Sequence, residues 1–227
     1  MSRAFAVALV VVIAVAVPPV LVVNALRVLA TESFTRWEVD RLEPDRYGLT
    51  DTRREALALL GLESIRPGSR GIELLENQRL SDGAAAFDER ELSHMRDVRS
   101  VFGNALRVQL AVVIALVLLA VALARTRLRA VVPRGALIGA LATLAVAVLA
   151  VPVIVLGFDT FFTRFHEMFF EGDSWEFADT DTLIRVYPEA FWVDVSRIAA
   201  ALTVVQAAVL AGLSWWWWLR AARRRVT

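Results

Sequence analysis

The chain has 227 residues, 57% of them hydrophobic, with a formal net charge of +1. A composition this apolar excludes an ordinary soluble domain, and so small a charge argues against a nucleic-acid binder, which carries a basic surplus. There is no cysteine, so disulfides, thiolate metal sites and cysteine nucleophiles are excluded, and all 25 basic residues are arginine, so no lysine is present to form a Schiff base.

In chain order, residues 4–26 form the first run long enough to cross a bilayer, which needs roughly 20 apolar residues per helix. Pro18-Pro19 should bend it, because proline removes a backbone donor and clashes with the preceding turn. The run continues past both prolines and no small-x-small cleavage site follows, so it reads as a retained span rather than a cleaved signal peptide. Residues 27–104 mix charges of both signs. Within them "TDTRREALALLGL" (50–62) reads as a short helix capped by Thr50 or Asp51, with turn signals at Arg66-Pro67-Gly68 and Asp82-Gly83.

"DERE" (88–91) then has Asp88 at an N-cap and Glu91 three residues on, a capping-box pattern. A helix starting there can run on into the second apolar stretch, 105–124. On it His94 and Asp97 are i, i+3 neighbours. An aspartate beside a histidine fixes the ring tautomer and raises the pKa by stabilising the imidazolium. The bland alternative is a solvated pair at a helix start. His94 lies about 11 residues before the span, roughly 16 Å at 1.5 Å per residue.

"RTRLRAVVPR" (125–134) joins the second span to the third, 135–158, which contains Pro152. Residues 159–197 follow and are dense in aromatics. In "FFTRFHEMFF", Phe162, Phe165, Phe169 and Phe170 fall at helical spacing, as in an amphipathic helix lying in the interface. His166 and Glu167 sit at its polar boundary, and Trp175 and Phe177 lie just beyond. The fourth span is 198–219. "WWWW" (215–218) reads as an interfacial aromatic belt, and "RAARRRVT" closes the chain.

The expected fold is therefore an all-α membrane protein: four transmembrane helices in one integral domain, with two loop regions containing short helices. Arg3, the arginine-rich 125–134 loop and the arginine-rich tail fall on one side, which the positive-inside rule makes cytoplasmic. Both termini are then cytoplasmic, and residues 27–104 and 159–197 face outward.

The chain has only two histidines. Both fall on the same outer side, each next to a carboxylate in sequence and close to a membrane boundary, which makes them candidate catalytic residues. Other chemistries fit less well. "HEMFF" lacks the second histidine of a zincin, and there is neither a G-x-S-x-G elbow nor a phosphate-binding glycine loop. A metal held by His94, His166 and carboxylates stays open, as does a serine nucleophile among Ser93, Ser100 and Ser174.

"FDERELSHMRDVRSVF" resembles the first signature of the four-span lipoprotein intramolecular transacylase family, with its H-M-x-D-V core at His94, Met95, Asp97 and Val98. The segment from Phe158 to Trp192 resembles the second signature, through Phe165-His166, Trp175-x-Phe177, Leu183-Ile184 and Pro188. Arg99 stands where the family pattern has lysine. The specific match covers roughly a quarter of the residues.

The resemblance implies a bacterial cell-membrane enzyme acting on diacylglyceryl-modified lipoproteins. The sn-2 acyl chain would move to the α-amino group of the lipidated N-terminal cysteine, leaving a lyso-form lipoprotein. His94 and His166 would be catalytic, with Asp97, Glu167 and Trp175 supporting. Substrate lipoprotein and membrane lipid are the expected partners, and no nucleic acid, cofactor or metal is expected. Two rivals stay open: a non-enzymatic membrane module that binds a lipid or partner protein, and a metal-dependent membrane hydrolase.

Overall fold

The computed structural model describes residues 3–223, without the side chains of 221–223. It is helical throughout, and among the described residues there is no strand, only an isolated bridge between Arg79 and Ala85. The helices are α1 (Arg3–Leu29), α2 (Glu32–Val39), α3 (Asp51–Ile65), α4 (Glu73–Glu76), α5 (Glu89–Leu123), α6 (Val131–Leu156), α7 (Phe158–Phe169), α8 (Thr182–Val186) and α9 (Glu189–Arg223). Four of them, α1, α5, α6 and α9, are long and apolar enough to cross a membrane. Each corresponds to one of the apolar runs. The C-terminal residues 224–227, part of the arginine-rich tail, lie outside the described residues.

The chain divides into two compact units. The span unit comprises Met1–Leu26, Leu106–Pro152 and Ile198–Thr227. Its surface is apolar in the way lipid requires: Val148 and Leu149 are 72% and 74% exposed. Lipid supplies no hydrophobic drive between helices, so close backbone approach and polar pins must hold them. Both devices are present. Gly135 and Gly139 of α6 sit one turn apart against α1. A Cβ on Gly135 would come within 2.7 Å of Ile13, and one on Gly139 within 2.6 Å of Val17. Gln109 of α5 donates to the Val20 carbonyl at 3.0 Å, and Asn24 donates to Gln206 of α9 at 2.5 Å. α1 stays helical through Pro18 and Pro19, as α6 does through Pro152.

The loop unit comprises Arg27–Ala105 and Val153–Arg197. Its core gathers Leu57 and Ala58 of α3, Leu75 of α4, Phe87 just before α5, Leu92 and Met95 of α5, and Leu183, Val186, Tyr187 and Phe191 from the second segment. The local signals work as the sequence indicates. Thr50 caps α3 by accepting from the Arg53 amide. Gly68 and Gly83 take the left-handed turn conformation, with φ of 85° and 86°. The capping box forms reciprocally: Asp88 accepts from the Glu91 amide at 2.8 Å and Glu91 from the Asp88 amide at 2.7 Å.

Hydrogen bonds and ion pairs tie the two segments of the loop unit together, three of them well buried. The other carboxylate oxygen of Glu91 accepts from the Leu183 amide at 2.6 Å, which fixes the start of α8 to the start of α5. Arg185 forks onto Asp45 at 3.0 and 3.3 Å, both side chains being nearly buried. Burial alone would raise Asp45, but Arg185 and the Leu49 and Tyr47 amides more than offset it and hold the carboxyl below its usual range. Tyr187 donates to the Ala58 carbonyl at 2.6 Å, and its hydroxyl occupies the space beside Gly61 that a Cβ would need.

Candidate active site

The first four turns of α5 are charged and precede its apolar run, so His94 belongs to the loop unit and stands outside the membrane-spanning part of that helix. His94 and Met95 share the buried strip of the helix with Glu91 and Leu92, and this strip faces the core described above. His166 lies on the inward face of α7 and is the buried residue of that helix. The two-sided pattern of α7 produces this: Arg164 and Glu167 are exposed and turn away from His166.

The fold brings the two histidines together. Their ring centroids are 6.1 Å apart and the planes are 26° from parallel. Both side chains are buried, with 7% and 9% exposure. An aromatic box encloses them. Phe170 and Phe177 lie 4.8 and 5.4 Å from His94. Phe162, Trp175, Phe165 and Phe170 lie 4.0, 4.8, 5.5 and 5.5 Å from His166. Arg90 passes over the outer side of Phe177 at 5.8 Å while bridging Asp88 and Asp181.

Hydrogen bonding distinguishes the rings. His166 Nδ1 lies 2.7 Å from the Phe162 carbonyl oxygen, one turn back in α7. A carbonyl only accepts, so Nδ1 carries the proton and the lone pair is on Nε2. His94 Nδ1 is buried and has no partner, and the same holds for the indole Nε1 of Trp175.

Electrostatics follow from the walls. Burial lowers the His166 pKa, and the Phe162 carbonyl, which favours the imidazolium, offsets only part of this. Burial, and then the neighbouring His166, push His94 down to about 4. Both rings are therefore neutral near pH 7.

The sequence neighbours expected to support the histidines sit elsewhere. Asp97 is exposed and makes no hydrogen bond to His94, and that pKa moves down rather than up. The reason is angular: His94 already lies at one edge of the strip 91–94–95, and Asp97 falls a further ~60° beyond that edge, in solvent. Glu167 pairs with Arg164 at 2.8 Å and not with His166. Ser93, Ser100 and Ser174 are all exposed. Trp175 does join the site. Phe170 and Phe177 complete it. Periodicity assigned Phe170 to a membrane-facing stripe, and the only signal for Phe177 was its place in the W-x-F pair. Among the described residues no three histidine or carboxylate side chains converge as a metal site would require.

Four span-forming helices and a helical loop unit that buries a histidine pair define an all-helical, multi-pass membrane protein. Residues 72–192, just over half the chain and including both histidines, match the family model for the lipoprotein intramolecular transacylase Lit. An uncharacterised protein of Aquifex aeolicus (strain VF5) is 32% identical over 182 residues, covering 78% of this chain and 79% of that one. The chain belongs to the lipoprotein intramolecular transacylase family. Its fold is also that of the membrane integral lipoprotein intramolecular transacylase Lit from Bacillus cereus, with a TM-score of 0.80 over 100% of both chains at 16% identity. A structure of the same Bacillus cereus protein with one histidine substituted matches with a TM-score of 0.75 over 97% of this chain and 95% of that one.

Proposed function

We propose that this protein moves an acyl chain within a single lipoprotein molecule, from the glycerol sn-2 ester to the α-amino group of the lipidated N-terminal cysteine. The observation that carries the reading is the pair of buried imidazoles 6.1 Å apart, neither of them bonded to a carboxylate among the described residues.

An α-ammonium has a pKa near ~7.7–8 and must be neutral to attack. An apolar box favours the uncharged amine over the ammonium, just as it favours uncharged imidazole over imidazolium. The amine nitrogen then adds to the ester carbonyl carbon and sheds a proton. His166 is the base for that proton, since its lone pair is fixed on Nε2 and its carbonyl bond favours protonation. His94, about 4, is too weak a base for the same task. As the C–O bond breaks, the proton passes to the sn-2 oxygen, with His94 on the leaving-group side. One proton moves in all and neither ring ends charged. Each proton transfer by a positioned group contributes typically about 10²–10⁴ in rate. Nucleophile and ester belong to one molecule, so holding them in place lowers the barrier further through effective molarity. No acyl-enzyme forms.

The arginine-rich 125–134 segment supports a cytoplasmic side for that loop and both termini, which puts the loop unit on the outer face. Mass spectrometry of lipoprotein N-termini from cells with and without the protein tests the function directly. Conversion of a purified diacylglyceryl lipopeptide to the lyso-form is the expected result. Unchanged N-termini would favour a membrane module without catalysis.

A further inference from the structure

The box contains one donor that the two-histidine mechanism does not use. The indole N–H of Trp175 is buried and bonds to nothing, although a buried donor ordinarily finds an acceptor. Its ring lies 4.8 Å from His166, at 31° to it, in the turn that follows α7. A tryptophan held only for packing needs no such N–H, and phenylalanine, which the box already uses four times, would fill the position without an orphaned donor. The orphan therefore calls for an acceptor from outside the protein, beside the imidazole that serves as base.

We propose that the Trp175 indole N–H donates to the carbonyl oxygen of the sn-2 ester and stabilises the oxyanion formed from it. This inference rests on the transacylase reading above. As the amine nitrogen bonds to the carbonyl carbon, the π pair of the C=O moves onto oxygen, and the N–H accommodates that negative charge. When the pair returns, the C–O bond to glycerol breaks. The leaving oxygen takes the proton shed by nitrogen, so the products are an amide and an sn-2 hydroxyl with nothing added or lost. The charge exists only at the tetrahedral stage, so the donor acts on kcat rather than on substrate binding.

The test compares wild type, Trp175→Phe and Trp175 replaced by the isosteric benzothienylalanine, which keeps the bicyclic shape and loses the N–H. Each is purified in detergent, matched for thermal stability and assayed with a diacylglyceryl lipopeptide. Loss of one oxyanion donor costs about 10²–10³ in kcat. Both replacements should show that fall, with KM within about threefold of wild type. A merely structural tryptophan would let the isostere keep full kcat, and that result overturns the donor role while leaving the transacylase reading intact. Wild type that does not convert the lipopeptide overturns the transacylase reading and the donor role with it. A second readout uses ¹⁵N-indole-labelled protein and a lipid phosphonate that mimics the tetrahedral oxyanion. The Trp175 N–H resonance, identified by its absence in Trp175→Phe, should move downfield on binding. An unmoved resonance in protein that binds the phosphonate also overturns the donor role.

Discussion

His166 donates from Nδ1 to the carbonyl oxygen of Phe162 at 2.7 Å, so the helix that carries the imidazole also chooses its tautomer. In many histidine sites a carboxylate does this work and stabilises the imidazolium as well. A neutral carbonyl orients the ring with much less bias toward charge, and the ring stays uncharged and ready to accept a proton.

The first prediction concerns the pair. His94→Ala and His166→Ala should each lower acyl transfer by about 10²-fold or more, as loss of a general acid or base does. The double variant should be scarcely worse than either single one, because groups that act as a unit are not additive. Transfer is measured in membranes at matched expression. Full activity in His166→Ala would remove the base assigned here and leave His94 alone.

The second concerns pH. The folded pKa of His94, about 4, lies below its unfolded value near ~6.5, so between these values the unfolded chain binds more protons. This contribution to stability is complete above about pH 6.5 and is lost as the pH falls through about 4. The gap amounts to about 3 kcal/mol. Thermal melts of His94→Phe should show a flatter acid limb than wild type. The rate behaves differently: kcat/KM should rise with pH through the substrate amine, near ~7.7–8, with no separate limb near 6.5 from either ring. An acid limb at 6.5 that disappears in a histidine variant would contradict the neutral pair.

The third separates two acids on the same helix. Asp97→Asn should leave both rate and pH profile unchanged, since Asp97 is exposed and does not bond to His94. Glu91→Ala should destabilise the loop unit by about 2–5 kcal/mol, because it orphans the Leu183 and Asp88 amides. Differential scanning fluorimetry in detergent measures the two. A shifted pH profile in Asp97→Asn would restore the aspartate to the site.

The fourth is topological. A reporter inserted at Arg129 should register cytoplasm, as should one fused after Thr227, which lies outside the described residues. One inserted near Gly83 should register the outside. An outside signal at Arg129 would place both histidines on the cytoplasmic face.

The spans were legible because a bilayer imposes a length and a polarity that a one-dimensional pattern records directly. The Asp88–Glu91 box and the Thr50 cap were legible because capping is local. The site was legible in part. Two histidines in the whole chain drew attention to themselves, but their partners did not. Asp45–Arg185 and Glu91–Leu183 join residues 140 and 92 positions apart, and no periodicity encodes such a contact. The i, i+3 spacing of His94 and Asp97 gave the right helix but not its rotation, which burial against α8 and α3 decides. Phe162, Phe165 and Phe170 read as a membrane-facing stripe, since spacing alone does not distinguish a face that meets lipid from one that meets another ring. The close approach of Gly135 and Gly139 to α1 was not read from the sequence, because the partner residues Ile13 and Val17 lie on another helix.

The walls of the histidine box also decide what the reaction avoids. In a hydrated pocket, water activated by the same base would compete with the amine for the ester carbonyl. Phe162, Phe165, Phe170, Trp175 and Phe177 present no side-chain oxygen and only one N–H to whatever enters. Walls of this kind offer water few hydrogen-bonding partners. In the proposed reaction the acyl chain would then pass to nitrogen or stay on the glycerol, with water excluded as a competing acceptor.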